Sequence, residues 1–397
     1  MVAILALTQF TVVLDFMVMS PLGDLLMKDL QVKPYQFGIV VSSYALAAGL
    51  SGFMTAGFAD RFDRKRLLVF FYSGFIIGTL CCGLAHTYTQ LILARIFTGI
   101  FGGVMSSIAM AIVADLFSLQ QRGRVMGFMQ MGFGLSQILG IPISLYIASK
   151  SNWQMPFYMI VCLSLVMFLT ILFGLKPVRA HLDQQTERSA FKHLLATIKN
   201  RNYRIGFMAT AFMSLGGYFM MPWGSAFAVN NVGLSQAQLP LLFMVVGIST
   251  FMIMPLIGLL ADKINKFRLF MGASILMIFS VLVYVHLGQT TLFVLILVNI
   301  FMMGGIMARM VPSQALTSSV PEIHDRGAFM SINSSLQQIA GGIAAIIGGK
   351  IVWQQSPSAP LMNFDILGYV VVAVILVNIY LTHRVYQYVA SKNKEAA

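Results

Sequence analysis

Long apolar runs dominate the chain, each near the length of a membrane-spanning helix. A helix needs about 20 apolar residues to cross roughly 30 Å of hydrocarbon. Twelve runs reach that length, with approximate bounds 3–27, 36–58, 67–86, 90–112, 125–149, 156–175, 205–229, 239–260, 269–288, 291–317, 327–349 and 364–386. None alternates apolar and polar residues with the period of two that a membrane β-barrel requires. The pattern predicts an all-α membrane protein with twelve transmembrane helices.

The first run also fits the apolar core of a signal peptide. However, no basic segment precedes residues 2–14, and no small-x-small cleavage site follows them. Asp15 and a further apolar turn come next, so we expect a first transmembrane helix here.

The longest polar stretch, 176–204, separates six runs from six and carries seven basic residues against two acidic ones. Four apolar residues within it follow helical spacing: Phe191, Leu194, Leu195 and Ile198. This spacing indicates a short amphipathic helix on the cytoplasmic membrane surface, with a solvated linker as the alternative. The expected domains are an N-terminal six-helix bundle over 1–175, a cytoplasmic linker loop over 176–204 and a C-terminal six-helix bundle over 205–397.

Composition agrees with a membrane protein, and the distribution of charge orients it. Only 10% of the residues are charged and 58% are apolar, whereas soluble domains carry about 25% charged residues. The net charge of +13 alone would also fit a nucleic-acid-binding protein. With both termini cytoplasmic, 20 of the 26 basic residues face the cytoplasm, four face the opposite side, and Arg95 and Arg309 lie in the membrane. The positive-inside rule therefore predicts a multi-pass membrane protein with cytoplasmic N- and C-termini, and the excess charge does not indicate a nucleic-acid partner. We expect the protein to lie in the bacterial inner membrane.

A short charged motif recurs in the two halves. Residues 56–66 (AGFADRFDRKR) correspond to residues 258–266 (GLLADKINK), and Asp60 aligns with Asp262 at an offset of 202. An Arg-Gly pair recurs four runs into each half at an offset of 204. Parallel six-helix repeats joined by a polar loop are typical of transporters.

On these motifs the chain resembles the major facilitator superfamily over nearly its whole length. The run Asp60-Arg61-x-x-Arg64-Lys65-Arg66 is similar to the signature between helices two and three of that superfamily. The resemblance implies the MFS fold, two six-helix bundles related by a pseudo-two-fold axis, and a transporter rather than an enzyme. A carboxylate beside cations at a neighbouring helix end can latch a cytoplasmic gate, with a loop that only fixes topology as the alternative. The expected gate residues are Asp60, Arg61, Arg64, Arg66, Asp262 and Lys263.

The fourth run carries an arginine motif similar to that of the superfamily's proton-coupled drug exporters. It reads Leu91-x-x-x-Arg95-x-x-Thr98-Gly99-x-x-Gly102-Gly103. A buried Arg is costly in a bilayer and needs a partner, and Asp15 in the first run is the obvious one. We expect Asp15 to take up and release the coupling proton and Arg95 to tune its proton affinity. A static ion pair that only fixes helix packing is the alternative.

The fifth run departs from the pattern of the proton antiporters. Those proteins carry a Gly-Pro dipeptide in the fifth helix, whereas Ile141 separates Gly140 from Pro142 here. The small residues and the proline still favour a bend and close packing. The departure weakens the assignment to antiport and leaves uptake open.

Polar and aromatic residues within apolar runs are candidates for the wall of a substrate cavity, with interhelical hydrogen bonds as the alternative role. Arg309 has no acid in its own run, which favours an anionic or carboxylate-bearing ligand; snorkelling or pairing with backbone carbonyls is the alternative. The 28 methionines suit a cavity that accepts varied hydrophobic shapes. The candidate substrate-binding residues are Tyr44, Gln137, Tyr218, Trp223, Asn299, Arg309, Gln314, Asn333 and Gln337.

Motifs for enzymatic or ATP-driven chemistry are missing from the sequence. The segment Gly348-Gly349-Lys350-Ile351 lacks the remaining residues of a Walker motif, and the cysteines and histidines show no metal or disulfide spacing. We therefore expect neither cofactor nor metal, and a receptor or a channel is disfavoured because no output module or selectivity filter is recognisable.

The expected function, by resemblance, is proton-coupled export of small amphipathic compounds by alternating access. The expected partners are the small-molecule substrate, protons and the lipid bilayer, and the expected state is a monomer. The alternatives are uptake or exchange of a sugar, an organic anion or a siderophore-like solute, and translocation of a lipid or lysolipid by the same fold.

Overall fold

The computed structural model describes residues 1–55, 59, 62–117, 119–178 and 190–396, and these residues are almost entirely helical. Their α-helices are α1 (Val2–Val18), α2 (Gly23–Asp29), α3 (Pro34–Thr55), α4 (Arg64–Gly83), α5 (Tyr88–Leu116), α6 (Leu119–Leu135), α7 (Ile141–Lys150), α8 (Met155–Gly174), α9 (Ala190–Lys199), α10 (Arg204–Tyr218), α11 (Gly224–Asn230), α12 (Leu239–Lys263), α13 (Lys266–Val285), α14 (Leu292–Thr317), α15 (Arg326–Ile351) and α16 (Phe364–Ala396).

Each of the twelve apolar runs forms helix, which confirms the predicted fold class. Ten helical segments among the described residues are long and apolar enough to cross a membrane. The pair α1 and α2, bent by 55°, gives an eleventh. The remaining run forms α15, a helix of 26 residues whose many Ser, Asn, Gln and Gly residues make it less apolar than the other spans.

Three of the predicted spans are interrupted helices. The first breaks between Val18 and Gly23 around Pro21, and the seventh passes through a 3₁₀ turn, Met221–Trp223, that contains Pro222. The fifth contains a π-helical turn, Ser136–Gly140, just before Pro142. Proline lacks a backbone N–H and its ring displaces the preceding turn, which accounts for the position of each break.

The helix that follows the repeated charged loop is capped in the same way in both halves. Asp63 caps α4 by accepting hydrogen bonds from the backbone N–H groups of the second and third residues that follow it. Asn265 caps α13 in the same manner, and the backbone angles of the two caps agree, with φ and ψ of −55° and 123° against −53° and 124°. The two caps are 202 residues apart, the offset of Asp60 and Asp262, so the sequence repeat is also a structural repeat.

The two ends of the bundle differ in how tightly the halves meet. We call the end that carries the linker 176–204 the linker side, and the end that carries the connections 84–87, 231–238 and 286–291 the distal side. A cavity of about 370 Å³ lies at the linker side, between α3 and α5 of the N-terminal half and α15 of the C-terminal half. At the distal side, Ser20, between α1 and α2, and Asp24 of α2 hydrogen-bond directly to Met221, Ser225 and Asn230 of the other half.

Candidate functional site

A buried ion pair joins α1 to α5 inside the N-terminal half. Nη1 of Arg95 donates to Oδ2 of Asp15 at 2.8 Å, and Oγ1 of Thr79 on α4 donates to Oδ1 of Asp15 at 3.1 Å. Asp15 is 0% exposed and Arg95 is 1% exposed. Both carboxylate oxygens are therefore hydrogen-bonded away from solvent, as a buried charge requires. The structure thus brings together the two residues that the sequence singled out for proton coupling.

The face of the arginine is covered by an aromatic ring. The guanidinium of Arg95 lies 4.4 Å from the ring centroid of Tyr44 on α3, a cation–π arrangement. Nε of Arg95 has no hydrogen-bond partner in the described part of the chain. Asp15 and Arg95 are therefore held in place by their ion pair, by the hydroxyl of Thr79 and by the aromatic face of Tyr44.

Phe16 connects this pair to the other half of the protein. It follows Asp15 directly, and its ring centroid lies 5.3 Å from that of Tyr44 and 6.0 Å from that of Tyr218 on α10. Both tyrosines are candidates on the sequence alone, whereas Phe16 is not, because a phenylalanine in an apolar run carries no signal that distinguishes it. The three rings form a contact between the two halves one residue away from the carboxylate.

The cavity at the linker side has a polar wall. Four serines contribute to it, Ser107 from α5 and Ser331, Ser334 and Ser335 from α15. Arg64 also lines it. A space between two halves with hydroxyl groups on both walls can accommodate a polar or amphipathic solute.

The gate motif is described only in part. Arg64 is 5% exposed; its Nε donates to Oδ2 of Asp115 at 3.0 Å and its Nη1 to the carbonyl of Ala59 at 3.1 Å. These bonds tie the start of α4 to the end of α5 within the N-terminal half. Arg66 and Lys263 are exposed. Asp60, Arg61 and the side chain of Asp262 lie outside the described residues.

The other candidate substrate residues are scattered. Nε2 of Gln137 lies 3.3 Å from Sδ of Met17 near the buried pair, and Trp223 is fully buried at the distal side against Gly348. Asn299 donates to a carbonyl of its own helix, and Gln314 is exposed.

Two further candidates lie on α15. Gln337 is half-buried. Asn333 is 4% exposed, and its Oδ1 has no hydrogen-bond partner in the described part of the chain.

Arg309 is directed into the C-terminal half and is not among the residues that line the cavity. Its Nε donates to Oγ of Ser274 on α13 at 3.1 Å, and its Nη2 donates to Oδ1 of Asn378 on α16 at 3.0 Å. Its guanidinium also lies 5.4 Å from the ring centroid of Phe270. The side chain, 2% exposed, therefore links three helices of one half.

We expect Arg309→Met to lower the free energy of unfolding by about 1–3 kcal/mol, because the acceptors on Ser274 and Asn378 lose their donor. Arg309→Lys, which keeps the charge, is expected to lose less. Unfolding of the purified variants in detergent measures both. Selective loss of anion transport without loss of stability would instead support a ligand-binding role.

The linker helix α9 packs on the C-terminal half. Leu194 is 3% exposed and belongs to a cluster with Phe329, while Leu195 and Ile198 remain exposed and the side chain of Phe191 lies outside the described residues. Nε2 of His193 lies 2.7 Å from Oδ1 of Asp325, the residue before α15.

Asp325 also accepts a hydrogen bond from Tyr203 at 2.7 Å. Burial acts to raise the pKa of Asp325, but the hydrogen bonds from Tyr203 and His193 outweigh it and hold that pKa below its usual value. Burial raises the pKa of Tyr203 itself to about 12. Asp325 therefore stays ionised over the whole neutral range and holds α9 on the C-terminal half.

Comparison with known proteins identifies the family. A family model described as the Major Facilitator Superfamily matches residues 5–345. The MFS-type transporter YbcL of Bacillus subtilis (strain 168), itself uncharacterised, is 26% identical over 361 residues, which is 88% of each chain. Multidrug resistance protein 3 of the same organism is 33% identical over 153 residues, 38% of this chain and 30% of its own.

Among solved structures, that of the nucleoside transporter NupG has a TM-score of 0.77 at 14% identity, over 97% of this chain and 98% of its own. At that identity the likeness shows the fold alone. These relatives are transporters and not enzymes. Because the family model spans most of the chain, this protein belongs to the Major Facilitator Superfamily of membrane transporters.

Proposed function

We propose that the protein exports small amphipathic compounds in exchange for protons. The observation that carries the proposal is the fully buried Asp15–Arg95 pair, which lies one residue from an aromatic contact between the two halves. Ionisable residues inside a membrane are expensive and commonly mark proton relays and substrate pathways.

Alternating access would supply the coupling. In the present arrangement the cavity lies at the linker side while the halves are hydrogen-bonded to each other at the distal side. Rigid-body rotation of two halves about a central site is a common way to reverse such an arrangement. Because Phe16 touches Tyr218 of the opposite half, such a rotation would move the residue next to the carboxylate and open a path for the proton.

The chemistry around the pair suits an amphipathic substrate. Phe16, Tyr44 and Tyr218 offer aromatic faces, and Gln137 adds an amide beside the flexible side chain of Met17. Aromatic rings bind flat apolar groups and also the face of an organic cation. We therefore propose that Tyr44, Gln137 and Tyr218 contact the substrate.

The charge distribution supports a cytoplasmic linker side. The segments at this side carry most of the basic residues, as the positive-inside rule requires for cytoplasmic loops. With this orientation the cavity faces the cytoplasm, where an exporter must bind its substrate. We propose that the protein acts in this way as a monomer in the bacterial inner membrane.

Uptake of a solute together with protons is the second candidate. The observation in its favour is the separation of Gly140 from Pro142 by Ile141, which departs from the antiporter pattern and coincides with the π-helical turn. The direction of coupled transport distinguishes the two candidates.

Proteoliposomes with an imposed pH gradient test this function. With ethidium as the probe, an antiporter accumulates it only in vesicles with an acidic lumen, because protons leaving the lumen drive the cation in. Accumulation only in vesicles with an alkaline lumen would replace export by uptake. Equal accumulation with and without a gradient would contradict proton coupling. A protonophore that collapses the gradient is the control.

A further inference from the structure

A second buried carboxylate lies at the distal side, outside the predicted proton-coupling pair. Asp24, on the short helix α2, is 0% exposed. Its Oδ2 accepts from Nζ of Lys28 at 2.8 Å, and Lys28 lies one helical turn further along the same helix. A buried ion pair needs further hydrogen bonds to compensate for the water it has lost.

Those further hydrogen bonds all come from the other half. Nδ2 of Asn230, the last residue of α11, donates to Oδ1 of Asp24 at 2.6 Å, and Nε2 of Gln236 donates to Oδ2. Nζ of Lys28 in turn donates to Oδ1 of Asn230 at 3.2 Å. Asp24, Lys28, Asn230 and Gln236 thus form one closed network, which we call the distal network.

Backbone groups reinforce the same contact. Oγ of Ser225 donates to the carbonyl of Ser20 at 3.0 Å, and Oγ of Ser20 donates to the carbonyl of Met221. The two serines belong to the interrupted segments of the first and seventh spans. The helix breaks at Pro21 and Pro222 therefore lie where the halves are joined.

A large apolar side chain packs next to the helix break at Pro222. The indole of Trp223 is 0% exposed and packs against α15, where a Cβ added to Gly348 would lie 2.7 Å from the ring. Asp24 itself has no exposed surface while the halves are together at this side.

We propose that Asp24 is the polar centre of the distal gate and that its hydrogen bonds to Asn230 and Gln236 set the balance between the closed and open distal side. Opening this side replaces charge-assisted hydrogen bonds by bonds to water, while Lys28 remains with Asp24 because both lie on one helix. The inference rests on the alternating access of the proposed function but not on its proton coupling.

The geometry offers an exchange test. Asp24→Asn removes the charge that attracts Lys28 and Asn230, and Asn230→Asp places two carboxylates against each other. In each single variant, the ratio of molecules with an open distal side to molecules with a closed one is expected to rise roughly ten- to hundredfold. The double exchange Asp24→Asn with Asn230→Asp restores one carboxylate, one amide and Lys28 in contact, and is expected to return the ratio toward that of the unaltered protein.

Spin-label distances across the distal side measure this ratio in the purified, reconstituted chain. The labels are attached through Thr89→Cys and Gln289→Cys, two exposed positions of opposite halves. The native cysteines Cys81, Cys82 and Cys162 are replaced by Ser. Molecules with an open distal side are expected to add a population with a longer distance between the two labels. Size-exclusion chromatography excludes variants that fail to fold.

Asp29→Asn is the matched control, because Asp29 lies on the same helix but accepts from the indole of Trp153 within its own half, at 2.7 Å. It is expected to leave the distances unchanged. Unchanged distances in both single variants would overturn the proposal, as would a double variant as open as the singles. The distance measurement uses neither a pH gradient nor a substrate, so it is independent of proton coupling. Longer distances in the single variants, together with no proton-driven transport, would therefore refute the proposed coupling and still support the distal gate.

Discussion

Asp15→Asn is expected to abolish the transport that a pH gradient drives uphill, lowering the accumulation ratio to that of passive equilibration. The amide fills the same space, its oxygen can accept from Arg95 and its NH2 group can donate to the hydroxyl of Thr79, so the site keeps its shape, but it has no proton to release at neutral pH. Exchange of substrate down its own gradient is expected to continue. Proteoliposomes assayed with and without the gradient measure both activities.

Thr79→Val is the control for this variant. It removes the hydrogen bond to Oδ1 of Asp15 and leaves the carboxylate and its arginine in place. Coupled accumulation is therefore expected to persist in Thr79→Val. Uphill accumulation by the Asp15→Asn protein would contradict the assignment, and the ion pair would then serve helix packing only.

Arg95→Met is expected to destabilise the protein strongly. Both members of the pair are fully buried, and removing one partner leaves the Asp15 carboxylate with Thr79 as its remaining donor. Breaking a buried pair in this way costs about 3–5 kcal/mol, mostly because an uncompensated charge stays buried. Unfolding of the purified variant in detergent measures the loss.

The double variant Asp15→Asn with Arg95→Met separates this cause from the loss of packing. Removing the carboxylate as well as the arginine eliminates the uncompensated charge, so the double variant is expected to be more stable than Arg95→Met alone. A double variant less stable than both single variants would show that the long arginine side chain contributes by packing against Tyr44 and not by pairing.

The fold could be predicted from the sequence because a bilayer fixes the length and apolarity of each crossing. The lengths of the runs located the helices, and the loop repeat indicated a division into halves. The caps at Asp63 and Asn265 show that this repeat has a structural cause. Pro21 and Pro222 lie at two of the helix breaks, but these breaks are not predicted from the sequence, because an apolar run that contains a proline is equally compatible with a continuous, kinked helix.

The site was predicted less completely, because an apolar sequence does not tell which face of a helix meets which neighbour. Asp15 and Arg95 could be paired because placing either charge in the membrane without the other is energetically unfavourable. Arg309 is likewise a charged residue in an apolar run, yet its side chain on α14 hydrogen-bonds to Ser274 and Asn378. Asp24 lay within the first predicted span and was passed over, although a carboxylate in an apolar run was the available signal.

If Asp15 carries the coupled proton, substrate binding releases that proton into solution. Purified protein in weakly buffered detergent solution is mixed with ethidium while the pH is recorded, and the Asp15→Asn protein is measured beside it. We expect proton release by the unaltered protein and none by Asp15→Asn at equal ethidium binding. Equal release by both proteins would contradict this role of Asp15.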